Sequence, residues 1–135
     1  MRRITFGLLL SAFMLLTLAG QSLAQSSTIE KDNGKRWVIV PAMMTHLNAM
    51  DAALKEKPPA TVAEHQKLGK RLDGSLSSLI SSCTMTGKAH DELHKWLVPV
   101  ITDIKGYSQG KDLKKLDQQH SDLRKAFLVF HQYFE

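Results

Sequence analysis

The chain has 135 residues, a formal net charge of +5 and one cysteine. Two of its 18 basic residues, Arg2 and Arg3, lie in a predicted cleaved segment, which leaves 16 basic against 13 acidic residues. So small an excess argues against a nucleic-acid partner, and a lone cysteine excludes an internal disulfide framework.

Residues 1–24 have the pattern of a signal peptide. Two arginines come first, an apolar run occupies residues 6–18, and a small-x-small cleavage site ends at Ala24. The apolar run is too short to span a bilayer. We therefore expect a periplasmic or secreted protein that begins near Gln25 and has no membrane association after cleavage. Residues 25–36 are polar and aperiodic and are expected to form a flexible lead-in.

Four amphipathic helices are predicted within residues 37–135. The first runs from Pro41 to Lys55, with apolar residues three and four positions apart. The second opens with a capping box at Thr61 to Glu64 and carries leucines on one face as far as Cys83.

The third helix is expected to start near Lys88, after a turn in which Gly87 takes a positive φ and Thr86 caps the helix. Pro99 should bend this helix or be absorbed as a kink. The fourth helix has the most regular pattern, from Leu113 to Phe134, and places His120 in the core as an imidazole with satisfied hydrogen bonds.

These elements predict an all-α fold, an up-down-up-down four-helix bundle over residues 37–135. An alternative is that the second and third helices continue as one through residues 84–87, which would favour dimerisation. Glycine and two threonines in that stretch make it a poor helix.

An up-down-up-down order brings most of the unusual side chains to one end of the bundle. That end collects Met43, Met44, His46, Cys83, Met85, His90, His94 and His131. Thiolate, thioether and imidazole groups suit Cu(I) and zinc and disfavour calcium or magnesium. His90 and His94 are four residues apart, so they project from one helical face. We predict a metal site formed from Cys83, Met85, His90, His94, Met44 and His46.

Catalytic functions have little support in the sequence. The stretch "HDELH" departs from the zinc-protease pattern because Asp91 occupies the position of the glutamate that activates water. A di-iron bundle would need Glu-x-x-His on two helices, and covalent haem attachment would need Cys-x-x-Cys-His. We therefore predict that the protein is not an enzyme.

Two resemblances follow from these motifs. The stretch "CTMTGKAHDELH", between an "RW" and a closing "FHQYFE", resembles a group of small exported bacterial four-helix proteins whose function is largely unassigned. That resemblance implies that Cys83, Met85, His90 and His94 are signature residues. More weakly, the chain resembles soluble periplasmic b-type four-helix cytochromes, which implies haem b ligated by Met43 or Met44 and by His131. The extra cysteine and histidine pair is foreign to that cytochrome pattern.

Three functions are consistent with this sequence. The leading prediction is a periplasmic metal-binding protein, with copper ahead of zinc, used for sequestration or for handover to a metal-delivery partner protein. The second is a haem-binding electron carrier. The third is a structural or interaction module in which Cys83 links two copies as a homodimer.

Overall fold

A computed structural model describes residues 28–135 of the chain, so the predicted signal peptide and the start of the lead-in lie outside the described residues. Within this range the chain forms four helices. They are α1 (Pro41–Lys55), α2 (Val62–Ser81), α3 (Gly87–Gln109) and α4 (Leu113–Tyr133). The prediction of four helices is confirmed, and the bounds of α1 are those expected from the periodicity.

Capping side chains mark the starts of α2 and α4, and a first-turn proline marks that of α1. Thr86 precedes α3 but makes no side-chain capping bond, so its predicted cap is wrong. Pro41 occupies the first turn of α1, where a missing N–H costs nothing. Thr61 accepts a hydrogen bond from the Glu64 amide while the Glu64 side chain accepts one from the Thr61 amide, as the predicted capping box requires. Asp112 caps α4 by accepting from the Lys115 amide at 2.8 Å.

The four helices pack as a bundle around one apolar core. Contacts join α1 with α2, α2 with α3, α3 with α4 and α4 with α1. This pattern confirms the predicted four-helix bundle and is compatible with the up-down-up-down order. The largest fully buried side chains include Tyr107, Phe127, Phe130, Phe134, Met43, Leu47, Met50 and Leu54.

The second and third helices are separate, so the alternative of one continuous helix is wrong. Ser82 and Cys83 turn the backbone away from α2, and Gly87 starts α3 with a φ of 71°, a conformation that disfavours side chains with a Cβ. Pro99 lies inside α3 at an exposed position and does not end the helix. The helix therefore continues through this proline to Gln109.

The described part of the predicted lead-in contacts the bundle. The Glu30 amide donates to the buried Glu92 carboxylate at 2.8 Å, and the Trp37 indole donates to the Glu30 carbonyl at 2.7 Å. Beyond it, Trp37 and Ile39 pair with the C-terminal residues, and the Ile39 amide donates to the Glu135 carbonyl at 2.7 Å. The periodicity of the sequence contained no sign of these contacts.

Among the described residues, no helix combines the length and the apolar character that a membrane crossing would need.

Candidate functional site

The backbone between α2 and α3 places Cys83 at the edge of the core. The α2 helix ends at Ser81, two residues before Cys83, so the prediction that Cys83 lies on the helix is wrong. The Ser81 and Ser82 hydroxyls bond the carbonyls four residues earlier, at 3.0 and 2.8 Å. The Ser82 amide bonds the Ser78 carbonyl as well, whereas the Cys83 amide bonds the Ile80 carbonyl three residues back, so the regular α-helical bonding ends before Cys83. The Cys83 side chain is half-buried and packs against the core.

A small pocket between α2 and α3 brings together three of the soft side chains. Its volume is about 130 Å³, and its lining residues are Met43, Ile80, Cys83, Leu93, His94, Leu97, Val98 and Ile101. Cys83 contributes a thiol, His94 an imidazole and Met43 a thioether. The three side chains come from the α2–α3 turn, α3 and α1, so this grouping depends on the tertiary fold.

The two histidines of α3 are direct neighbours. The His90 and His94 ring centroids are 4.1 Å apart, with ring planes at 48°. The His90 side chain is 29% exposed, and the His94 residue is exposed at the mouth of the pocket. The predicted i, i+4 pairing is therefore present, and solvent reaches at least one of the two rings.

The other predicted ligands lie outside the pocket lining. Met44 and Met85 are half-buried and pack against the hydrophobic core, while His46 is half-buried on α1. Within residues 28–135, no group of three or more His, Cys, Asp or Glu side chains is arranged to hold a metal ion. The Met43 thioether, which lines the pocket, is a donor of a different type.

The residues of the haem alternative have separate surroundings. Met43 is fully buried in the pocket wall, and His131 Nε2 lies 2.9 Å from Asp51 Oδ2. Burial raises the Asp51 pKa, but the hydrogen bonds from Lys55 and His131 outweigh it and leave this pKa below its ordinary value. A charge-assisted bond thus holds the His131 ring against α1.

Sequence reasoning missed a polar cluster near the opposite end of the bundle. The Tyr107 hydroxyl lies 2.7 Å from His65 Nδ1, and His65 Nε2 lies 3.0 Å from Asp117 Oδ1. Both His65 and Tyr107 are buried. The burial of His65 could have been predicted from the sequence, because His65 precedes Leu68 by three residues and so lies on the apolar face of α2. This chain of bonds ties α2, α3 and α4 together, with His65 and Tyr107 buried and the Asp117 side chain exposed at its outer end.

His120 completes this buried cluster. Its ring centroid is 6.1 Å from that of His65, and the residue is only 5% exposed. The core position is confirmed, but among the described residues His120 Nε2 has no hydrogen-bond partner, so the expectation of a fully satisfied imidazole is wrong. Burial, followed by the nearby His65, lowers the His120 pKa, while burial raises the Tyr107 pKa.

No family model, no curated protein and no solved structure matches this chain. The two resemblances therefore stay predictions. The function of the pocket at Cys83 is inferred from the chemistry of the side chains that line it.

Proposed function

We propose that this protein is an exported, non-catalytic metal-binding protein that holds copper for sequestration or handover. The observation that carries the proposal is that Cys83, His94 and Met43 line the same pocket. A thiolate, a thioether and an imidazole are a donor set that suits Cu(I), with zinc as the second choice. We expect His90, whose ring centroid lies 4.1 Å from that of His94, to serve as an exchanging ligand.

The surroundings of the pocket fit a soft, reduced ion. Apart from its donor residues, the lining is entirely aliphatic: Ile80, Leu93, Leu97, Val98 and Ile101. An apolar wall limits water access and favours a thiolate that is neutralised by a bound cation. The exposed His94 gives an incoming metal a first ligand at the pocket mouth, with the half-buried Cys83 behind it.

Titration of the mature chain from Gln25 with Cu(I), against a chromophoric chelator under reducing conditions, tests this proposal. We expect binding of one ion, weakened by Cys83→Ser or His94→Ala by more than the roughly 10–100-fold loss typical of changes outside the ligand shell. A parallel titration with Zn(II) ranks the two metals.

A pair of methionine variants isolates the thioether. Met43 and Met50 are both fully buried on α1, but only Met43 lines the pocket. Met43→Leu should weaken Cu(I) binding, whereas Met50→Leu should leave it unchanged, because both changes nearly conserve volume. Equal Cu(I) affinity in the wild-type protein and in Cys83→Ser would refute the proposal.

A further inference from the structure

An uncharged face covers the α2 side of the pocket. Residues 74–87 include no charged residue and no histidine, although charged residues make up 23% of the chain. The side chains exposed there are mostly serines and threonines. Two large aliphatic side chains interrupt them at the pocket rim: Ile80 is 50% exposed and Val98, on α3, is 55% exposed.

Such a face is suited to contact with its own copy. In a twofold dimer each surface meets itself, so a patch of one charge would repel its partner, whereas an uncharged one would not. The aliphatic side chains at its centre gain free energy when they leave water. The exposed aliphatic pair Leu128 and Val129 on α4 differs from this face, because the basic residues Arg124 and Lys125 precede it by one helical turn.

The exposed stripe of α3 adds charges in a self-complementary arrangement. Asp91, Val98 and Lys105 are spaced by seven residues, so they lie along nearly one line on the helix, about 20° apart per step. All three are exposed. Asp91 and Lys105 are equally distant from Val98, each about 10 Å along the helix axis.

This symmetry defines one mode of pairing. If two α3 helices pack antiparallel about a twofold axis through Val98, each Asp91 faces Lys105 of the second copy. Within residues 28–135 Lys105 has no ion-pair partner, and the nearest partner of Asp91 is His90 Nδ1 at 3.9 Å. Both charges are therefore free to form the two symmetric ion pairs.

We propose that the α2–α3 face is a homodimer interface, in which α3 packs antiparallel to α3 of a second copy around Val98, with two Asp91–Lys105 ion pairs. Ile80 and Val98 also line the pocket, so the interface lies next to it. Dimer formation itself needs no metal, so the inference can be tested separately from the proposed function.

Cross-linking tests the position of the axis. In a Cys83→Ser background, Val98→Cys places the new thiol next to its own copy, so mild oxidation should give a disulfide-linked dimer on non-reducing gels. Leu128→Cys in the same background is the matched control, because Leu128 is 61% exposed on α4 and lies outside the interface. Equal dimer yields from the two variants would overturn the proposal.

A charge swap tests the pairing. Sedimentation equilibrium of the full mature chain in chelator should show a monomer–dimer equilibrium that shifts toward monomer in Asp91→Lys and in Lys105→Asp, because each variant places like charges opposite each other. The double variant should restore the dimer to near the wild-type level, and added salt should weaken the wild-type dimer. A monomer at every concentration, or a double variant no better than the single ones, would contradict this pairing.

Discussion

The helices α2 and α3 approach each other closely at Gly69, and we predict that a single methyl group there pushes them apart. A Cβ added at Gly69 would lie 2.6 Å from the Ser108 Cα, whereas ordinary contacts begin near 3.4 Å. The neighbouring atom belongs to the backbone, so no side chain can rotate away. Relief therefore requires a helix displacement of about 0.8 Å, the difference between those two distances.

The size of the effect follows from two opposing terms. Replacing a glycine inside a helix by alanine stabilises the helix by about 1 kcal/mol. Overpacking of a well-filled interface costs about 1–3 kcal/mol. Gly74, on the same helix, has nothing within 4 Å of an added Cβ and experiences only the first term. We expect Gly74→Ala to unfold at higher urea concentration than the wild type, and Gly69→Ala to be about 2 kcal/mol less stable than Gly74→Ala.

Urea unfolding followed by circular dichroism measures this difference, with the m-value as a check that both variants bury the same surface. The helix-propensity term cancels between the two variants, so the comparison isolates the packing term. If Gly69→Ala proves as stable as Gly74→Ala, the close approach of α2 to Ser108 is wrong.

Two further predictions concern buried titratable groups. The pKa of His120 is lower in the folded protein than in the unfolded chain, so on acidification the unfolded chain takes up this proton first. The free energy of unfolding should therefore keep its full His120 contribution above the ordinary pKa of 6.5 and should fall as the pH drops below it. His120→Leu should reduce this acid sensitivity in urea titrations at pH 7.5 and 5, and an unchanged pH slope would contradict the argument. The Glu92 carboxylate accepts bonds from the Glu30 amide and from Lys95, both at 2.8 Å, and these bonds outweigh the effect of burial and lower its pKa. The stability that the ionised Glu92 contributes should be present above the ordinary pKa of 4.5 and lost as the pH falls through the lower folded-state pKa. Glu92→Gln should lower the free energy of unfolding by about 2 kcal/mol at pH 7 and change the Trp37 fluorescence. A substitution without either effect would refute this role of Glu92.

The four helices and the cap of α2 were predictable because their determinants are local. Apolar spacing in α4, the Thr61–Glu64 capping box and the positive φ of Gly87 each depend on residues only a few positions apart, so the sequence itself carries the signal. The early end of α2 was missed because the apolar spacing continues through Leu76 and Leu79 to Cys83, so periodicity alone does not show where the helix stops.

The candidate site was predictable only in part. The sequence pointed to the bundle end that holds Cys83 and His94, but only packing of α1 against α2 and α3 decided that Met43, and none of Met44, His46 or Met85, lines their pocket. Periodicity gives the angles between side chains around one helix axis, but it does not say which neighbouring helix each side chain faces.

The cluster of His65, Tyr107 and Asp117 shows the same division. Each residue satisfies the helical pattern of its own segment, yet their hydrogen bonds join positions 42 and 52 residues apart in the chain. Local propensity determined which elements form, because it acts over one or two turns. Which polar groups meet in the interior was decided only when the four helices packed together.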